Sequence, residues 1–164
     1  MVGEIERVLA ALERAGVRYL VVGGVAVVLH GFLRTTADLD LVVHLEPDNV
    51  RRALNALTEL GYHPRAPVPP ESFADPETRK RWIRDKNLRV FSFWSEAGPL
   101  EVDLFVEEPF DFEDVFRRAV RVPLKGIEVS VVPRRDLIAL KRAAGRALDQ
   151  EDVQRLQELG GGDE

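Results

Sequence analysis

Apolar positions along the chain alternate between a helical repeat and short continuous runs. Over residues 4–15, Ile5, Val8, Leu9 and Leu12 recur at helical spacing, and Gly16 follows as a C-terminal stop. Residues 17–22 form a short apolar run, which predicts a strand. Val25, Ala26, Val28 and Leu29 then predict a buried helix over 24–30, closed by Gly31. Leucine and valine return at 39, 41, 42 and 43 around Asp38 and Asp40, a second strand. Val50, Leu54, Leu57 and Leu60 share one stripe of a scaffold helix over 47–60, with Asp48 near its start and Gly61 past its end.

The pattern then breaks. Residues 62–76 hold five of the ten prolines, so they read as a loop without regular structure, placed to border an acceptor site. Over 78–89, Arg79, Lys80, Arg81, Arg84, Lys86 and Arg89 surround Trp82. Two readings stand: a basic surface that holds RNA phosphates and stacks a base, or an amphipathic helix with Trp82 and Ile83 turned inward. Residues 88–94 and 100–106 read as antiparallel strands around a turn at 96–99, with Glu101 and Asp103 on one face and Val102 and Leu104 on the other. A short helix over 111–118 precedes strands at 120–124 and 127–132, joined through Lys125-Gly126.

After Pro133 a helix runs to about Gly145. Its apolar arc is Leu137, Leu140, Ala144 and Leu148; Lys141 falls between that arc and Ile138, and Arg135, Arg142 and Arg146 take a solvated face. Asp149 reads as the N-cap of a last helix with Val153, Leu156 and Leu159 inward, before a frayed glycine-rich tail. The hairpin over 88–106 predicts an α/β (α+β) fold, a mixed and mainly antiparallel sheet backed by helices. A doubly wound parallel sheet would need a helix between those two strands. The length predicts a single domain over 1–164, with a helical C-terminal part at about 133–159.

Composition narrows the function classes. Apolar content of 45% and charged content of 31% are globular values, and no apolar run reaches membrane-spanning length. The amino terminus lacks a signal peptide's basic and apolar regions. The absence of cysteine excludes disulfides and thiolate metal sites and fits a cytoplasmic protein. A net charge of -5 argues against a surface coated in positive charge for general nucleic-acid binding.

The chemistry gathers around Asp38 and Asp40. On a strand their spacing puts both carboxylates on one face, where they repel unless a cation sits between them. An oxygen-loving divalent ion such as magnesium, which takes one or two protein carboxylates together with substrate phosphates, answers that need. Gly23-Gly24 stands between strand and helix, where backbone approaches a phosphate closely. Together they point to phosphoryl or nucleotidyl transfer. The third glycine of a dinucleotide-binding fingerprint is missing.

These residues carry a resemblance. Gly23-Gly24, an interval of thirteen residues and then Asp-apolar-Asp-apolar resemble the signature of the nucleotidyltransferase superfamily with the DNA polymerase β-like fold. His30-Gly31 and Arg34-x-Thr36-x-Asp38-x-Asp40 are similar to its minimal members, including the AbiEii-type toxin nucleotidyltransferases. The resemblance implies a third carboxylate on a later strand, and Asp103 stands where it is expected. It further implies Mg2+ (or Mn2+) held by Asp38, Asp40 and Asp103, and a nucleoside triphosphate met by Gly23, Gly24, Arg34, Thr36 and Lys141. The implied acceptor is a hydroxyl, on tRNA in a toxin-like role, with a cognate antitoxin protein as partner. Antibiotic- or protein-modifying transfer is the alternative, as is a non-catalytic nucleotide-binding regulatory module. Plainer readings stay open: Asp103 as an exposed strand-edge acid, Lys141 as a snorkelling lysine, Arg34 as a solvated loop residue, and His30 as either a phosphate or base contact or a satisfied histidine at a helix end.

Overall fold

The computed structural model describes residues 2–159. Seven strands make one sheet: β1 (Tyr19–Val22), β2 (Asp38–Val43), β3 (His63–Pro64), β4 (Val90–Ser95), β5 (Gly98–Phe105), β6 (Val120–Leu124) and β7 (Ile127–Val131), in the order β3-β4-β5-β2-β1-β7-β6. The β2–β5 and β1–β7 pairs are parallel and the other four are antiparallel, so the sheet is mixed and mainly antiparallel, as the sequence predicts. Among the described residues seven α-helices accompany it: α1 (Val2–Arg14), α2 (Gly23–Leu29), α3 (Pro47–Glu59), α4 (Pro76–Lys86), α5 (Phe112–Arg117), α6 (Arg134–Ala144) and α7 (Ala147–Leu159).

The central strands alternate cleanly. Leu39, Leu41, Val102, Leu104 and Phe93 are fully buried and Phe91 nearly so, all on the back face of the sheet. Asp38, Asp40, Glu101, Asp103 and Ser92 occupy the intervening positions and share the front face. Local chemistry sets the ends of the elements. Glu46 caps α3, its carboxylate accepting from the Asp48 and Asn49 amides at 3.0 and 3.1 Å. Asp75 caps α4 ahead of Pro76, which starts that helix two residues before the apolar pattern does. In the β6–β7 turn both Lys125 (φ 45°) and Gly126 (φ 84°) are left-handed, the conformation that lets a two-residue hairpin follow strand twist.

Three expectations are corrected. Residues 62–76 are not an unstructured loop: they contain β3 and a short 3-10 turn, Pro70–Ala74. The prolines are tolerated because β3 is an edge strand and Pro70 starts a helical turn, while Phe73 is fully buried and stacks on Phe91 at 5.5 Å. The apolar arc does not run from α6 into the last helix. The chain turns at Gly145 (φ 69°), so Ala144 is exposed and Leu148 is 48% exposed. Asp149 is not an N-cap: it lies in the first turn of α7 and accepts the Arg146 amide at 3.2 Å, the reciprocal half of a capping box. Val153 and Leu156 are buried as expected. The side chain of Leu159 and the glycine-rich tail lie outside the described residues.

Candidate active site

The parallel pairing of β2 with β5 builds the centre of the site. Its register sets Asp40 beside Asp103 and Asp38 beside Glu101, all facing front. Asp38, Asp40 and Asp103 can each offer a carboxylate oxygen within 4.8 Å of the others. Asp103 is only 9% exposed, and its Oδ1 is buried without a hydrogen-bond partner among the described residues. Opposite Asp103 on β4 stands Ser92, close enough for its hydroxyl to lower the Asp103 pKa. A buried, unpartnered carboxylate oxygen beside two further carboxylates is a donor set that a hard divalent cation fits.

The electrostatics agree. Burial, then the charges of Asp103 and Asp38, push Asp40 up to about 7, with Lys141 pulling the other way. Burial raises Asp38, helped by Asp103 and Glu101. Burial also raises Asp103, against hydrogen bonds from Ser92 and Asp40 that lower it. Below about pH 7 the metal-free site therefore favours a proton on the Asp40–Asp103 pair, because adjacent carboxylates in a partly buried site resist joint ionisation.

The glycine pair holds protein atoms close. Val22 pairs with Asp40, so Gly23 (φ 67°) follows directly beside that carboxylate; a Cβ on Gly23 would overlap Asp40 Oδ2 and stand 2.8 Å from its Cγ. A Cβ on Gly24 would meet Thr36 Oγ1 at 2.8 Å and the Arg34 guanidinium carbon at 3.3 Å. The space over both glycines is thus taken by Asp40, Thr36 and Arg34. Thr36 also donates to the Asp38 carbonyl at 3.1 Å, which fixes the entry into β2.

Lys141 is inward, 6% exposed, and meets carboxylates from α7: Asp149 at 3.3 Å and Asp152 at 3.0 Å. Asp152 also binds Arg34 at 2.5 Å, and Asp149 binds Arg146 at 2.7 Å. Arg34 is therefore not a free loop side chain. Arg146 is solvated as predicted but sits at the edge of this cluster. The sequence reading missed Asp149 and Asp152 as site-lining groups, although they share the inward stripe of Val153 and Leu156 and complement an inward lysine. Glu101 is ion-paired with Arg65, whose guanidinium lies 5.9 Å from the Trp94 ring centroid. His30 does not reach the site; its Nε2 lies 2.8 Å from the Val132 carbonyl and ties the end of α2 to the strand beside it.

The basic helix is on the other side. Trp82 of α4 stacks on back-face Phe91 at 5.0 Å, and Arg79 is buried, donating to the Phe73 carbonyl at 2.6 Å. We expect Trp82→Ala to destabilise the fold by about 2–3 kcal/mol in denaturant titration. Activity per folded molecule should stay unchanged. A selective loss of activity at full stability would restore Trp82 as a substrate contact.

A mixed sheet whose central parallel strands carry Asp-x-Asp against a third aspartate, beside a Gly-Gly turn, is the fold of nucleotidyltransferases. The chain belongs to the family described as a nucleotidyltransferase of unknown function (DUF6036), which it matches over residues 2–159. No curated protein sequence matches it significantly. Among solved structures it is similar to the lincosamide antibiotic adenylyltransferase LnuA in its lincomycin-bound form, with a TM-score of 0.65 at 15% identity, covering 96% of each chain. It is similar to ANT(2″)-Ia in complex with adenylyl-2″-tobramycin, with a TM-score of 0.64 at 16% identity, covering 98% of this chain and 90% of that one. An antigenic nucleotidyltransferase-like protein from Paracoccidioides brasiliensis aligns with a TM-score of 0.52 at 18% identity over 96% and 76%. At such identities these likenesses speak for the fold. No helix among the described residues is long and apolar enough to cross a membrane.

Proposed function

We propose that this protein transfers a nucleoside monophosphate from a nucleoside triphosphate to an acceptor hydroxyl, using Mg2+ (or Mn2+) held by Asp38, Asp40 and Asp103. The observation that carries the reading is the β2–β5 register, which brings three carboxylates together and leaves Asp103 Oδ1 buried without a partner. Magnesium bound there would supply the positive charge that stabilises the attacking and leaving oxygens. The chain's own residues do the rest. Any proton on Asp40 passes to solvent when the site is loaded. Asp103 takes the acceptor hydroxyl's proton, with Ser92 orienting the carboxylate. The acceptor oxygen forms a bond to the α-phosphorus while the bond to the β-phosphate bridging oxygen breaks, and pyrophosphate departs with that electron pair. Arg34 and Lys141 stand on the triphosphate side as cations, with Thr36 and the two glycines at the nucleotide's edge.

The acceptor in this reading is a small hydroxylated molecule seated on the front face beside Asp103, against Ser92, Trp94 and the Glu101–Arg65 pair. Two things favour it over tRNA. The basic cluster around Trp82 is on the back of the sheet and partly consumed in packing, and two neighbours in fold are named for antibiotic substrates or products. Nucleoside triphosphates as donors make the cytoplasm its place of action.

The test offers each of four α-phosphate-labelled nucleoside triphosphates, with magnesium or manganese, to aminoglycosides, lincosamides, total tRNA and the protein itself. Label on a small acceptor, lost in Asp38→Ala, is the expected result. Label on tRNA would replace the acceptor and revive a toxin-like role with an antitoxin partner. Nucleotide binding that survives Asp38→Ala, with no label anywhere, would make the protein a non-catalytic nucleotide-binding module.

A further inference from the structure

The cations beside the site do not stand alone. Lys141 lies between Asp149 and Asp152, and each of these aspartates reaches on to an arginine. Asp152 Oδ2 is shared between Lys141 at 3.0 Å and Arg34 at 2.5 Å. Asp149 takes Arg146 through both oxygens, at 2.7 and 3.2 Å. Both aspartates are 1% exposed, whereas the Arg146 side chain is 75% exposed.

Stability alone does not call for this cluster. A buried ion pair is often no better for the fold than apolar side chains of the same volume, because desolvation offsets the attraction. Holding an exposed arginine in one geometry also costs rotamer entropy, which Arg146 would keep if it were an ordinary surface residue. What the arrangement does provide is fixed direction. Asp152 holds the Arg34 guanidinium over Gly24, beside Thr36 and the entry to β2. Gly24 adjoins Gly23, where a Cβ would overlap Asp40 Oδ2, so the anchored Arg34 guanidinium stands next to the three-acid centre, and Lys141 and Arg146 join it through Asp152 and Asp149. Three cations against two carboxylates leave surplus positive charge in a cluster that borders the three-acid centre through Arg34, where a polyphosphate chain would bridge the two.

We propose that Asp149 and Asp152 are positioning residues: they fix Lys141, Arg34 and Arg146 as a preorganised cationic edge, so that the first two turns of α7 set the preference for a triphosphate over shorter phosphate chains. This rests on the nucleotidyl-transfer reading above. The aspartates touch no substrate; they act through the cations, and a charge-assisted hydrogen bond gains strength from being held in place beforehand.

The experiment measures equilibrium binding of all four nucleoside triphosphates and their monophosphates, with magnesium, to the full-length wild type, Asp152→Asn, Arg34→Gln and the double variant. For the preferred base, Asp152→Asn should weaken triphosphate binding by about tenfold or more, the scale of one charge-assisted hydrogen bond, and leave the monophosphate within about twofold. The double variant should lose no more than Arg34→Gln alone, because the two act as one unit. In transfer assays the loss should fall on KM and not on kcat. Should Asp152→Asn not fold, Asp149→Asn paired with Arg146→Gln is the corresponding test, since Asp149 holds Arg146 as Asp152 holds Arg34. A folded variant that keeps the wild-type triphosphate-to-monophosphate ratio overturns the inference while nucleotidyl transfer stands. Additive losses in the double variant overturn it as well. A wild type with no preference for any triphosphate overturns both readings.

Discussion

Asp40→Asn should give a protein that is more stable without metal than the wild type and inactive with it. Asp40 is pushed up to about 7 by burial and by the charges of Asp103 and Asp38. In the unfolded chain the same carboxyl titrates near about 3.9. Between those values the folded state holds a proton that the unfolded state has released, so stability falls as pH rises through this window. The term is fully present below the unfolded value and gone above the folded one. An asparagine removes it. The stability advantage of Asp40→Asn in metal-free buffer should therefore be small at about pH 4, grow toward about pH 7 and then level off. Its size at neutral pH is on the order of 2–4 kcal/mol, since one pKa unit is worth about 1.4 kcal/mol. Thermal melts in a chelator at several pH values measure it, and a rise of several degrees is expected at neutral pH. Magnesium should raise the wild-type melting temperature and leave the variant's unmoved. Nucleotidyl transfer should drop by about a thousandfold or more. A variant less stable than wild type at every pH would mean that Asp40 is a structural acid, not a metal ligand kept at the expense of stability.

Gly23→Ala is the second large effect, and it acts through the same carboxylate. The residue sits at φ 67°, where an L side chain is strained by about 1 kcal/mol. The larger penalty is spatial, because a Cβ would overlap Asp40 Oδ2 at the end of β1. Relief requires Asp40 to swing away from Asp103 or β1 to shift against β2. We expect a loss of about 2–4 kcal/mol in stability together with loss of metal-dependent transfer. Gly23→Asn separates the two costs: asparagine tolerates positive φ but still carries the Cβ, so it should recover part of the stability and none of the activity. In an Asp40→Ala background, Gly23→Ala should cost only the backbone strain and the tight 3.0 Å contact with the remaining Cβ, less than in the wild type, a non-additivity that identifies the carboxylate as the main obstacle. Additive costs in that double variant would move the explanation back to the backbone.

Much of this architecture is legible in the sequence, and for a local reason. Helix and strand periods, caps and turn residues act over a few neighbours, so α1, α3, the β4–β5 hairpin and the Lys125-Gly126 turn follow from the pattern. The face shared by Asp38 and Asp40, and by Glu101 and Asp103, follows from the two-residue repeat of a strand. That Asp40 lies beside Asp103 does not. It depends on a parallel pairing between strands joined through α3, α4 and β4, which no local repeat encodes. The partners of Lys141 are hidden for a related reason. Projecting one helix past Gly145 treats two helices as one, turning the exposed Ala144 and Leu148 inward and leaving Asp149 to look like a cap. The prolines between residues 62 and 76 mislead in the opposite direction, because proline forbids a central strand but permits an edge strand and the start of a helical turn.

The parallel pairing of β2 with β5 also ties assembly of the site to completion of the fold. Asp40 and Asp103 stand more than sixty residues apart in the chain, and the strands bearing them meet only at the middle of the sheet. Contacts of such separation carry a large loop-closure cost and form late. A nascent or partly folded chain, with β1–β2 paired across α2 and β4–β5 formed as a hairpin, would hold two separate sets of acids with no triad between them. On the proposed reading, divalent-cation binding and any use of nucleoside triphosphate would then be confined to molecules in which the last central seam has closed. Amide exchange across β2 and β5 should accordingly slow when magnesium is added, while the β6–β7 hairpin keeps its rate.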